Sequence, residues 1–435
     1  MKSHPYKVIF LFFVIFIIFG TILLSLPFST TKTVSLIDRI FTATSALCVT
    51  GLTTVDISLS YTFLGQFFIL FMIQCGGLGY MVLGSIMIIL FGRINLFQKR
   101  IIGESLNITD VTTVKEVIPL MKNIIIFTFL FEIFGMLVLF LKFCIVEGFS
   151  FLKSLWYSIF HSISAFCNAG FSLFSNSFEN YHGDLVINII IPLLIISGGL
   201  GFIVWMDIFK RLRGKKESFL LHTKIVFLMT SILLILGSLL IFLVNKFESL
   251  PLKSKILVSW FQSVTSRTAG FDTFPINQMS ILGVLTIICL MFIGASPGGT
   301  GGGIKTTTFF VILASVYNYL MGQKDVSVFK RRISINIVLK SFSIFFVCLS
   351  WVILVSSIIH ISSGFSYKEC LFETVSAFGT VGLSLGITPY LDNFSKILLI
   401  ITMLLGRVGS LTLVSILFTK EPKEIKYLEE SIAVG

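Results

Sequence analysis

Four short segments of this chain end alike. SALCVTGLT (45–53), SAFCNAGFS (164–172), VTSRTAGFD (264–272) and SAFGTVGLS (376–384) share one register, with the same Gly at 51, 170, 270 and 382. A second signature follows 24 to 28 residues after each Gly: GGLG (76–79), GGLG (198–201), GGTG (298–301) and GRVG (406–409). Two motifs at matched spacing in four copies define an internal repeat, so the chain is expected to fold as four like units.

The residues between the motifs say where those units fold. Of 435 residues 55% are hydrophobic and only 12% charged, against roughly a quarter charged in a soluble domain. The 47 Phe residues suit surfaces that meet lipid better than a packed enzyme core. Apolar runs long enough to cross about 30 Å of hydrocarbon occur at 8–26, 62–91, 123–146, 185–208, 223–244, 280–319, 335–361 and 394–418. The first begins after Lys2 and Lys7, as a signal peptide would, but it is long enough to span and lacks a small-residue cleavage pattern; it is read as the first span. The net charge of +12 would suggest nucleic acid in a soluble chain. Here 21 of the 33 Lys and Arg lie before the first span, in 92–123, 209–224 and 321–340, or after 419. That one-sided excess puts both termini in the cytoplasm, with no nucleic-acid partner.

Four further apolar segments, near 35–46, 153–166, 253–266 and 366–378, lie between an odd span and the following even one. Twelve helical residues reach about 18 Å, roughly halfway through a bilayer. They read as re-entrant helices, each leading into a Gly motif. The expected fold is an all-α membrane protein: eight transmembrane helices in four outer helix–pore loop–inner helix repeats with pseudo-fourfold symmetry around one pore. The divisions are 1–92 for repeat 1, a cytoplasmic loop at 93–122, 123–212 for repeat 2, 213–322 for repeat 3 with an intramembrane gating loop at 297–305, 323–420 for repeat 4, and a cytoplasmic tail at 421–435.

A ring of backbone carbonyls can replace the water around a cation without placing a full negative charge in the membrane, and Gly allows close backbone approach. The tripeptides Val49-Thr50-Gly51, Asn168-Ala169-Gly170, Thr268-Ala269-Gly270 and Thr380-Val381-Gly382 have one Gly each and otherwise varied side chains, so carbonyls are their common element. Each half-helix would also point its negative C-terminal dipole at this place, favouring cations. The GGLG copies at 76–79 and 198–201 are expected inside inner helices, where small residues let helices approach the filter. The third inner segment is different: Pro297-Gly298-Gly299-Thr300-Gly301-Gly302-Gly303 interrupts it before Ile304-Lys305. No helix survives that composition, and a flexible strip at that depth must line a cavity. It is expected to gate conduction; a passive kink is the alternative. Arg407, near the centre of the last span, should face the pore, bond the carbonyls around 298–303 and, with Lys305, oppose cations below the filter. Arg267 is expected to pair with Asp272 or Glu373, and Glu132, His161 and Glu373 to serve as supports.

Seven cysteines without a CxxC pair, five scattered His and the lack of a phosphate-binding loop leave no disulfide framework, resident metal, cofactor or enzymatic site to argue from. The pore-loop and gate residues, taken together, resemble the Trk/Ktr/HKT superfamily of potassium transporters, most closely the membrane subunit of the bacterial Ktr system. The resemblance covers essentially the whole chain and rests on the four single-Gly filters, PGGTGGGIKT and the GRVG arginine. It implies K⁺ as the transported ion, bound only at the filter carbonyls, and uptake across the plasma membrane. It also implies a homodimer, a cytoplasmic KtrA-like ring of nucleotide-binding regulatory subunits, and Na⁺ as a possible activator. The basic loops 92–123 and 209–223 would suit that ring, although anionic membrane lipid attracts the same charges. The competing reading is a secondary active cation symporter with a midplane site, a class built on twofold or inverted repeats.

Overall fold

The computed structural model describes residues 5–79, 114–214, 218–247, 250–323 and 325–409. The basic stretch 92–113, the tail 421–435 and the far ends of the 62–91 and 394–418 runs lie outside the described residues. The first unit holds α1 (Pro5–Leu24), α2 (Leu36–Leu47) and α3 (Phe63–Leu78). The second holds α4 (Val114–Leu141), α5 (Phe151–Phe166), α6 (Leu185–Gly199) and α7 (Phe202–Leu212). Then come α8 (Leu221–Val244), α9 (Leu252–Thr265), α10 (Ile281–Phe292) and α11 (Thr306–Leu320). The last unit is α12 (Ile335–Ser363), α13 (Tyr367–Gly379) and α14 (Asn393–Val408).

Polar caps fix where these helices begin. The Ser35 hydroxyl accepts from Asp38 N, Thr62 from Gly65 N, and Ser280 from Gly283 N, while Ser366 and Glu369 form a reciprocal capping box. Each cap satisfies amides the helix cannot. Three helices, Lys122–Val146, Leu221–Val244 and Ile335–Ser363, are long and apolar enough to cross a membrane. They expose Leu, Ile and Phe side chains such as Leu130, Leu236 and Leu354, as lipid-facing helices do. The second of the four half-helices, α5, runs to the end of its predicted span and the others within a residue of it, and their last turns are buried apart from half-buried Ile163.

Packing runs in a closed cycle. Each half-helix lies against the outer and inner helices of its own unit, α2 against α1 and α3, and α13 against α12 and α14. It also touches the preceding unit's inner helix: α3 meets α5, α6 meets α9, α10 meets α13, and α14 meets α2.

Three expectations are corrected. The 185–208 run is not one straight crossing: α6 and α7 meet at 96°, because Gly201 sits at φ +91° with its GGLG neighbours at the break. The copy at 198–201 therefore ends a helix instead of lying within one, and Gly79, at φ +61°, caps α3 in the same register. The helix before the second half-helix starts at Val114, ahead of the apolar run at 123. Its polar first turns carry VKEV, a composition that hydropathy alone assigns to a loop.

Candidate functional site

The four tripeptides meet at the ends of the half-helices. Val49, Asn168, Thr268 and Thr380 adopt φ of 57°, 59°, 76° and 50°, and the glycines 51, 170, 270 and 382 adopt 90°, 70°, 79° and 92°. Left-handed backbone at β-branched Val49, Thr268 and Thr380 costs about 1–3 kcal/mol each and persists only where surroundings enforce it, as at functional sites. The middle residue of each tripeptide is not left-handed. Alternating handedness turns consecutive amides to one side and carbonyls to the other.

The hydrogen bonds agree with that sense. Thr50 N donates to Ser45 O at 2.8 Å and Gly51 N to Ser45 Oγ at 3.1 Å; Val381 N and Gly382 N do the same with Ser376 O at 2.8 Å and Ser376 Oγ at 3.0 Å. In these two units both amides point back into the half-helix. A Cβ on Gly51 would stand 2.5 Å from Ala169 O, on Gly170 2.7 Å from Ala269 O, on Gly270 2.2 Å from Val381 O, and on Gly382 2.2 Å from Thr50 O. The glycines thus form a closed ring, each against the middle carbonyl of the next unit, and no side chain fits.

Helices are held close to this ring. A Cβ on Gly76 would meet Leu47 O, on Gly198 Phe166 O, and on Gly406 Phe378 O, each at 1.9 Å. The inner helices thus touch the last turn of the half-helices, the close approach expected of the GG pairs. Behind the ring, His161 Nε2 accepts from Leu173 N at 3.2 Å, and Glu373 accepts from Leu385 N at 3.0 Å, Ser384 Oγ at 2.6 Å and Thr388 Oγ1 at 2.7 Å. Both occupy one repeat position and tie the half-helix to the chain leaving the ring. Glu132 joins three elements: its side chain accepts from Gln74 Nε2 at 3.3 Å, its backbone carbonyl accepts from Ser162 Oγ at 2.6 Å, and it faces the Cys167 thiol. Sequence reasoning missed Ser45 and Ser376, although a Ser stands six residues before the Gly in three units and Val264 in the third unit, a signal readable in the aligned motifs.

The 297–303 strip lies against the ring on the side away from where the half-helices enter, and it is not slack. Gly294 N donates to Ile304 O at 2.9 Å and Ala295 N to Gly302 O at 3.3 Å, closing the strip into a loop. Ser296 N and Thr300 N donate to Gly199 O and Gly198 O, both at 3.1 Å, and Gly302 N donates to Thr380 Oγ1 at 2.9 Å. A Cβ on Gly301 would lie 1.9 Å from Thr268 Oγ1. In this conformation the glycines supply close fit. Asn168, with its amide turned to suit its neighbours, accepts from Thr268 Oγ1 and donates to Ile195 O, both at 3.1 Å.

Arg407 reaches the strip. Its guanidinium donates to Thr300 O, Gly76 O and, at 3.3 Å, Gly77 O, and Lys305 Nζ donates to Gly301 O at 2.6 Å. Two cations thus bind the strip's own carbonyls beside the ring. Arg267 goes elsewhere: among the described residues it forms no ion pair with Asp272 or Glu373. The left-handed turn at Thr268 follows it directly, and its side chain lines a small cavity with Ile195, Leu234, Val264 and Ala295. The hydroxyls and the Leu385 amide already occupy Glu373.

Beyond the first tripeptide, burial pushes the Asp56 carboxyl up, but hydrogen bonds from Ser58, Ser175 and the Ser58 and Leu59 amides outweigh it and hold its pKa below the ordinary aspartate value. Ser58 Oγ lies 3.1 Å from Ser175 Oγ, linking the first two units there.

Four Gly-bearing turns thus meet in a closed ring inside a helical membrane-type protein, with a tethered strip beside it. The family model TrkH, a cation transport protein, matches residues 2–427, and the chain belongs to that family. It is 38% identical to the Ktr system potassium uptake protein B of Bacillus subtilis, over 100% of this chain and 98% of the relative. It is also 38% identical to the potassium/sodium uptake protein NtpJ of Enterococcus hirae, again over 100% and 98% of the two chains. The crystal structure of the potassium transporter TrkH from Vibrio parahaemolyticus aligns with a TM-score of 0.73 and 18% identity, covering 96% of this chain and 86% of that one.

Proposed function

We propose that this chain takes up K⁺ across the plasma membrane through a selectivity filter formed by the carbonyls of Val49-Thr50-Gly51, Asn168-Ala169-Gly170, Thr268-Ala269-Gly270 and Thr380-Val381-Gly382. Eight crossings in four repeats, with pseudo-fourfold symmetry and the divisions read from sequence, surround the pore, and both termini are cytoplasmic. Pro297 to Gly303 form the gate, with Lys305 and Arg407 opposing cation passage. A second copy of the chain and a cytoplasmic nucleotide-binding ring complete the system, with Na⁺ as an activator.

The observation that carries the reading is the closed ring of four glycines, each packed on a neighbouring unit's carbonyl. Oxygens held this way replace hydration water at fixed spacing without a buried formal charge. Potassium as the cargo draws on one relative whose name states potassium uptake and another whose name states potassium/sodium uptake. Partner subunits draw on the word system in the first of those names. Uptake of Rb⁺ by liposomes holding the purified chain, with and without Na⁺, tests the proposal. Saturable Rb⁺ entry that excludes Na⁺ from the pore is expected, and equal entry of both ions contradicts it.

A further inference from the structure

We propose that α7 is a sensor of anionic phospholipid: lipid phosphates seat its basic end on the inner membrane surface, and that seating holds the 297–303 strip in its obstructing position. The inference rests on the reading of the strip as the gate. Since α7 leaves α6 at 96°, an α6 that crosses the bilayer leaves α7 lying along its surface. One face of α7 is fixed to the bundle. Phe202 and Val204 are buried, the Trp205 ring packs at a tilt against Phe127 at 4.7 Å and Phe131 at 5.2 Å, and its Nε1 donates to Ser197 O at 2.9 Å.

The far end is exposed, with the returning chain at Phe219 and Leu220 against one side of it. Lys210, Arg211 and Arg213 are exposed beside exposed Phe209 and Leu212, the latter at 74%. Lys122 is exposed on α4, about one and a half turns before Phe127. Asp207 is the sole acid on α7, and its carboxylate already accepts from Leu220 N at 2.9 Å. Arg211 lies 4.4 Å over the Phe219 ring, and none of these cations has an ion-pair partner among the described residues; apolar side chains interleaved with such cations match the headgroup boundary, where the former sink into acyl chains and the latter meet phosphate.

The near end of α7 is the gate's own anchor. Phe202 N donates to Gly298 O at 3.1 Å, and a Cβ on Gly201 would come within 2.5 Å of Pro297 O. Helix and strip therefore move together or lose that contact. A ligand that binds the seated helix favours the conformation in which it is seated, here the one with the strip against the ring.

The test uses the full chain in liposomes of phosphatidylcholine with and without phosphatidylglycerol, comparing wild type with Lys210→Gln/Arg213→Gln. Phosphatidylglycerol should lower basal Rb⁺ flux of the wild type by about fivefold or more, the low end of usual site-to-site couplings. The double variant should show the same flux in both membranes, and soluble glycerol phosphate should have no effect. Brominated phosphatidylglycerol should quench the fluorescence lost in Trp205→Phe more than brominated phosphatidylcholine does. Equal wild-type flux in both membranes, or lipid dependence surviving in the double variant, overturns the sensor. Absence of flux in every membrane defeats the transport reading instead. Quenching then decides the lipid site alone, and equal quenching by the two lipids rules it out.

Discussion

Replacing Arg407 by Gln removes the clasp between the last inner helix and the strip. The guanidinium donates to Thr300 O on the strip and to Gly76 O and Gly77 O on the first inner helix. A hydrogen bond from a charged donor is worth about 1.5–3 kcal/mol, and 1.4 kcal/mol is tenfold in an equilibrium. Loss of the Thr300 bond thus raises the population with the strip displaced by roughly 10- to 150-fold. Arg407 is only half-buried, so water compensates in part and about tenfold is expected. The assay is basal Rb⁺ flux into liposomes without any regulatory subunit. Arg407→Lys separates clasp from charge: Lys keeps the positive charge but lacks the fork that reaches both carbonyl groups. If the clasp holds the strip, Lys leaks nearly as Gln does; if charge alone blocks ions, Lys behaves as wild type. Unchanged or lower flux in Arg407→Gln refutes the reasoning.

Ser376→Ala strips the partner from Gly382 N, a half-buried amide whose lost bond costs about 1 kcal/mol, the low end for an unsatisfied donor; Rb⁺-over-Na⁺ preference should fall severalfold with little change in protein yield, as measured by paired uptake. The Asp56 carboxyl is held below its ordinary pKa by its hydrogen bonds, so its contribution is present above the unfolded value near 3.9 and is lost as pH falls through the lower folded value. Asp56→Asn should therefore lower the thermal midpoint at pH 7, and the gap from wild type should close below about pH 4; a gap constant with pH contradicts the assignment.

Much of this was legible because the repeat supplies its own alignment. The half-helices and the four glycines announce themselves by register, and a run such as PGGTGGG cannot be helical whatever surrounds it. Other features depend on contacts between units, which local pattern does not carry. The 96° break at Gly201 is invisible to hydropathy, since Leu200 and Phe202 on either side are as apolar as a straight helix requires. The strip reads as flexible from composition but is pinned by Gly198, Gly199 and Thr380, residues from two other units. Arg267 reads as half of an ion pair because Asp272 is near in sequence, whereas its side chain lines a small cavity with Ile195, Leu234, Val264 and Ala295 and forms no ion pair among the described residues.

Gly270→Ser bears most directly on the claim that four loops hold a cation by their carbonyls. At φ +79°, a Cβ there would stand 2.2 Å from Val381 O, so the ring must open or distort while the surrounding helices keep their packing. Rb⁺ and Na⁺ uptake should be measured together in liposomes holding equal amounts of wild type and variant. The account predicts that the variant still folds and conducts but no longer prefers Rb⁺; a variant with the wild-type preference intact contradicts it.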